Sequence, residues 1–169
     1  MQQNFYKNMV KKVRANPNLQ KIVILLCRIA PWAVVAAYGI TLIVLLATWN
    51  LKWIFFLIVP AVAVVVVTLL RNALDKPRPF ERFGFTPLVG HEKGKSFPSR
   101  HTASAVVIGM ACLYVNIGYG VFMLLLAAGI GVTRVMAGVH HILDVVTGAA
   151  ISVAMGLLGF CLFAPLFGL

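Results

Sequence analysis

At 169 residues, 61% hydrophobic and with a mean hydropathy of +0.94, the chain holds apolar runs near the length a bilayer requires, which places it outside the soluble globular domains. Fifteen basic residues against four acidic ones give a formal charge of +11; beside spans this apolar, anionic lipid headgroups or a phosphorylated substrate fit better than nucleic acid. Cys27, Cys112 and Cys161 have no CxxC spacing and sit in or beside apolar sequence, so they read as small buried hydrophobes.

No Ser/Gly linker, repeat or low-complexity stretch divides the chain, so residues 1–169 are expected to form one membrane-embedded domain. Residues 1–21 carry Lys7, Lys11, Lys12, Arg14 and Lys21 interleaved with Phe5, Tyr6, Met9 and Val10, the pattern of a basic amphipathic helix in the membrane interface. The apolar stretch behind it is long and lacks a small-residue cleavage site, so this segment is expected to stay attached. About 20 residues from Ile29 make the first span, with Trp32 and Trp49 suited to its two interfaces. After a turn at residues 50–52, Trp53 to Leu70 make a second span with Pro60 as a kink site. Residues 71–100 form the single long polar segment, holding seven of the fifteen basic residues and three of the four acids. Its prolines argue for a shaped loop, and a loop of this length is expected to be functional. A third span runs from His101 or Thr102 to about Val115, a reversal at residues 116–118 leads into a fourth from Tyr119 to about Thr133, and a fifth runs from Ile142 to Phe163, ended by Pro165. Gly109, Ala127, Gly131, Gly148 and Gly156 provide faces that allow close helix approach in lipid. The fold class is therefore all-α: an integral membrane bundle of about five transmembrane helices plus the N-terminal amphipathic helix.

Three polar clusters interrupt this apolar sequence: Arg71 with Arg78-Pro79, Pro98-Ser99-Arg100-His101, and Arg134 with His140 and Asp144. No span separates the first two and two spans separate the second from the third, so all three reach the same face of the membrane. Charged groups placed this expensively are usually functional. If the chain is helical after Gly138, His140 and Asp144 lie four apart on one face, where a carboxylate can orient an imidazole; His141, three from Asp144, can make the same contact. Guanidiniums that bind two oxygens at once, beside an oriented histidine and a second one to protonate the departing oxygen, suit phosphoryl transfer. With arginines supplying the positive charge and Asp144 the one carboxylate nearby, a carboxylate-rich two-metal cluster is not supported, and no metal or other cofactor is expected.

Arg71-x6-Arg78-Pro79, Pro98-Ser99-Arg100-His101 and Thr133-Arg134-x5-His140-x3-Asp144 resemble, in order and spacing, the three signature motifs of the type 2 phosphatidic acid phosphatase family, which shares its pocket with vanadium haloperoxidases. The resemblance implies that His140 is the nucleophile that becomes a phosphohistidine, that Asp144 orients it and that His101 is the acid for the leaving group. It implies further that Arg71, Arg78, Ser99 and Arg134 grip the phosphate. The family spacing selects His140 over His141. Three positions depart from the family pattern: Arg71 stands for lysine, Thr133 for serine and Arg100 for glycine, the last either narrowing the pocket or adding a contact to a second phosphate. His91 matches no motif and is expected to be solvated.

The implied activity is hydrolysis of a lipid phosphomonoester or diphosphate, such as undecaprenyl diphosphate, phosphatidylglycerophosphate or phosphatidic acid. The alternative is a non-catalytic lipid-phosphate binding or transport protein on the same scaffold. The expected partners are the bilayer and its lipid phosphates, in the cell membrane. Positive-inside counting puts the basic N-terminus and the polar loop on the cytoplasmic face, but the loop arginines answer to phosphate as well as to topology and an extra crossing by residues 19–30 would invert the result, so the sequence leaves the side of the active site open.

Overall fold

Prolines, asparagines and glycines cut the apolar chain into helices. A computed structural model describes residues 2–168. It contains α1 (Gln2–Ala15), α2 (Pro17–Arg28), α3 (Ala30–Ala47), α4 (Trp53–Leu74), α5 (Pro79–Phe83), α6 (Arg100–Val115), α7 (Ile117–Met136) and α8 (Ile142–Gly156). Beyond α8, a π-helical segment, Leu157–Phe163, leads into α9 (Ala164–Leu166), and the described residues contain no strand. The junction of α1 and α2 shows the local cause: Asn16 accepts the Leu19 N–H on its side chain at 3.1 Å, and Pro17 opens the helix where no N–H is needed. Asn116 does the same for α7, accepting from Tyr119 at 2.9 Å, and is the only residue between α6 and α7. Pro165, expected to end the last span, instead lies in the first turn of α9, where a missing N–H is harmless.

α6 is the axis of the bundle. Ala103, Ala105, Val107, Ala111 and Cys112 are each at most 2% exposed, and α7, α8 and α4 wrap it. Its small side chains allow that closeness, and Gly120 of α7 rests on the backbone of Leu113, where a Cβ would stand 2.2 Å from the Cα. Phe56, Val59, Ala63 and Val67 line the inward face of α4 at helical spacing.

The outward faces carry exposed aliphatics such as Ile40, Ile43, Val65, Leu69, Leu125 and Val132. A continuous apolar exterior suits lipid and not water. Four stretches, Pro17–Ala47, Trp53–Phe83, Ile117–Met136 and Ile142–Leu166, are long and apolar enough to cross a membrane. α6 is shorter at 16 residues and is enclosed by its neighbours, so it meets other helices more than the exterior. The architecture is the all-α membrane bundle expected from the sequence.

α1 turns Tyr6, Val10 and Val13 onto α2, α5 and α7, with Lys11, Lys12 and Arg14 outward. The Arg14 guanidinium donates to the Thr86 and Pro87 carbonyls at 2.8 and 3.3 Å, tying α1 to the loop between α5 and α6. Beneath that loop, Val13, Val23, Cys27, Val89, Ala137 and Val139 form a second apolar cluster. The polar ends of α2, α4 and α7 and the starts of α5, α6 and α8 thereby meet at one end of the bundle.

Candidate active site

Gly138 turns the chain into the site. Its φ of +76° lies in the left-handed region that favours glycine, and a Cβ there would stand 2.6 Å from the Phe85 ring. The turn carries Val139 and His140 inward, both wholly buried, before α8 begins at Ile142.

His140 and Asp144 meet, Nδ1 to Oδ2 at 3.4 Å, but not as neighbours on a helix face. His140 precedes the helix, His141 is its N-cap, and Asp144 is its third residue. Asp144 Oδ2 accepts the His141 backbone N–H at 2.8 Å and the Ser96 hydroxyl, in a capping-box arrangement. The carboxylate is thus fixed by the start of α8 and by the loop before it reaches the imidazole. His141 points elsewhere, its ring edge-on to Tyr6 and Phe83.

On the other side of the ring, His140 Nε2 faces Arg78 Nη1 at 3.3 Å. Arg78, 1% exposed, is locked by donating from Nη1 to the Val139 carbonyl at 2.9 Å and from Nε to the Gly94 carbonyl at 3.1 Å. With Nδ1–H assigned toward the carboxylate, Nε2 carries the lone pair and looks into the pocket. Burial lowers the pKa of His140 to about 4, against the pull of its hydrogen bond to Asp144 and with the help of the Arg78 charge, so the ring is neutral at neutral pH.

The loop that supplies Gly94 is shaped, as its prolines suggest. Asp75 accepts the Lys95 N–H at 3.0 Å, Glu81 accepts the Gly94 N–H at 2.7 Å and the Lys76 carbonyl accepts the Ser96 N–H at 2.8 Å. Two of the loop's three acids are therefore spent on holding backbone. His91, expected to be solvated, is instead half-buried, with its ring 6.0 Å from that of His101 and 6.1 Å from that of His140. Burial, with the charges of Arg78 and other nearby cations, lowers its pKa to about 3. A nitrogen from each of the three rings lies within 4.8 Å of the others. Three imidazoles have the composition of a zinc site, but a dication there would meet the Arg78 guanidinium at the outer nitrogen of His140, and the surrounding charge suits an anion.

Arg134 is buried in the last turn of α7. It donates from Nη2 to the Cys27 carbonyl at 2.9 Å, while its Nε has no partner among the described residues. Arg71 is buried in the last turn of α4, and its charge reaches both His140 and His91. Ser99 is the N-cap of α6, but its hydroxyl pairs with Thr102 Oγ1 at 3.0 Å, and its N–H donates to the Asp144 carbonyl at 2.9 Å. Thr133 turns its hydroxyl back to the carbonyls of Gly129 and Ile130, away from the histidines. Arg100 opens α6 with an exposed side chain and borders a cavity of about 590 Å³ shared with His101 and Arg134. The structure thus groups His140, Asp144, Arg78, His101 and His91, with Arg71 and Arg134 around them and Ser99 and Arg100 on the His101 side.

The model of the PAP2 superfamily matches residues 51–167, a stretch that holds each of these motif positions. The chain belongs to the PAP2 superfamily. Among curated members it is 33% identical to the lipid A 1-phosphatase of Rhizobium johnstonii over 71% of this chain and 50% of that one. It is 28% identical to the undecaprenyl-diphosphatase BcrC of Bacillus subtilis over 75% of this chain and 67% of that one. The chain spans about half the length of the Rhizobium relative. Two solved structures share the fold: Aquifex aeolicus LpxE, with a TM-score of 0.75 and 24% identity over 92% of both chains, and a transmembrane PAP2-type phosphatidylglycerolphosphate phosphatase of Bacillus subtilis, with a TM-score of 0.68 and 21% identity over 92% of this chain and 83% of that one.

Three residues at the site escaped the sequence reading. His91 and Ser96 sit in a loop, where no periodicity marks a side chain as inward. Tyr6 accepts the Ile142 N–H on its hydroxyl at 3.1 Å, a contact between residues 136 apart that spacing cannot reveal.

Proposed function

We propose that the protein is a membrane hydrolase that removes phosphate from lipid phosphomonoesters or diphosphates through a phosphohistidine intermediate. The observation that supports this most is His140: buried, neutral, braced by Asp144 on Nδ1 and presenting Nε2 toward Arg78 beside the imidazole of His101. In the reading that follows, Nε2 attacks phosphorus, the bond to the lipid oxygen breaks, and His101 donates the proton that oxygen takes. His101 then withdraws a proton from water as it attacks the phosphohistidine, releasing inorganic phosphate and restoring both rings. Arg71, Arg78 and Arg134 meet the charge on the equatorial oxygens, with Ser99 at the start of α6 and Arg100 on the leaving-group side. The chemistry uses no metal.

The names of the relatives support a lipid substrate: lipid A for one, undecaprenyl diphosphate for another. The apolar exterior supports a multi-pass protein of the cell membrane, its site at one edge of the bilayer and α1 along the interface. The test is phosphate release from a panel of lipid phosphates by purified protein and by His140→Ala. Release by the parent and none by the variant is expected; undiminished release by the variant sinks the assignment. A parent that binds vanadate but releases no phosphate is instead the non-catalytic binder.

A further inference from the structure

A cavity of about 590 Å³ lies between the α2–α3 elbow and α6, on the His101 side of the site. Its walls grade from charge to grease. Arg28, Arg100, His101 and Arg134 border it where α2 ends and α6 begins, and Val35 and Ile108 border it deeper along α3 and α6. Arg134 is 5% exposed and its Nε is without a partner among the described residues, a buried donor that an anion in this cavity can satisfy. Arg28 and Arg100 are exposed at the same end, and the ion pair among the described residues, His140 with Asp144, gives neither of them a carboxylate. Arg28 lies before the stretch that matches the superfamily model, so one side of this cavity is built by a segment outside that match.

We propose that Arg28 and Arg100 form a second anion site, which holds the lipid-linked phosphate of a diphosphate substrate while the terminal phosphate is attacked at His140. The inference rests on the hydrolase reading above and deepens it. When His140 attacks the terminal phosphorus, the bond to the bridging oxygen breaks, and that oxygen takes the proton from His101. The departing group is then a lipid monophosphate, released on the face of His101 that this cavity borders. Two planar, permanently charged forks suit its oxygens, and the apolar end suits its chain. A phosphomonoester of a neutral alcohol has nothing to offer them.

The experiment uses the full chain in detergent, a polyprenyl diphosphate and a phosphatidic acid as substrates, and the variants Arg28→Gln, Arg100→Gln and the two combined. Losing one contact to a charged group should lower the ratio of kcat/KM for diphosphate over monophosphate by roughly tenfold or more. The double variant should fall further. Protection against heat by inorganic pyrophosphate over orthophosphate reads the same contacts without turnover, and should shrink in the variants. An unchanged ratio together with unchanged protection overturns the inference and leaves the hydrolase reading standing, as does a parent that cleaves only phosphatidic acid. A parent that cleaves neither lipid overturns the hydrolase reading, and the protection measurement then decides the anion site by itself.

Discussion

His140 is held between a carboxylate that would rather see it charged and a guanidinium that would rather not, in a place where its ring is wholly buried. Burial settles it in favour of the neutral ring, with a pKa of about 4, and His91 is displaced the same way to about 3. Both values lie below the ordinary one near 6.5. Between those limits the unfolded chain binds protons that the folded chain refuses, so stability is full above about pH 6.5 and drains away as the pH falls toward 4. His91→Gln removes one of the groups that drive the fall and should flatten it. Melting temperature in detergent measured across that interval checks the prediction; an identical slope for parent and variant would show that His91 is not a buried neutral imidazole.

At the scale of elements, the site is a matter of how closely α6 and α8 approach. A Cβ on Gly148 would stand 2.8 Å from the Ser99 carbonyl, and Ser99 in turn donates its N–H to the Asp144 carbonyl. Gly148→Ala should therefore push the start of α6 away from α8, costing about 1–3 kcal/mol and moving the residues that carry His101 and Asp144. Gly129 in α7 has nothing within 4 Å of its Cβ position, so Gly129→Ala should be neutral or stabilising by about 0.5–1 kcal/mol through helix propensity alone. Thermal unfolding and initial rates on both variants separate the two cases. Equal losses would mean that the approach of α6 to α8 is not what limits substitution. The same logic makes α1 more than a surface anchor, because its Tyr6 hydroxyl caps the first turn of α8.

For the whole molecule, the proposed multi-pass arrangement has α3, α4, α6, α7 and α8 run between the end that gathers the polar groups and the end that carries the turn at residues 50–52. α1 and the loop at Glu92 belong to the polar end, since Arg14 holds the Thr86 carbonyl and Tyr6 stacks on Phe83. Cys27 and Cys112 are buried as expected but Cys161 is exposed; with it changed to serine, single cysteines in place of Lys11 and Glu92 should react alike with an impermeant maleimide in intact cells, and one in place of Asn50 should react oppositely. Opposite labelling of Lys11→Cys and Glu92→Cys would place a crossing between α1 and the loop and break the topology.

The sequence alone determined the membrane class and the order of the apolar segments, because hydropathy over a helix length is a one-dimensional quantity, and the order of the segments led to the expectation that Arg78, His101 and Arg134 share one end. Its motif spacing also led to the PAP2 superfamily. It read the pairing of His140 with Asp144 for the wrong local reason, a helix face where the structure has an N-terminal cap, since cap and helix offer the same four-residue spacing. What only the tertiary structure decided is the orientation of side chains in irregular backbone: His141 out and His140 in, Ser96 on Asp144, His91 beside His101, and Arg100 on a cavity rather than on the nucleophile. In a loop no period ties a residue's number to its direction, so these choices belong to packing and hydrogen bonds among segments far apart along the chain.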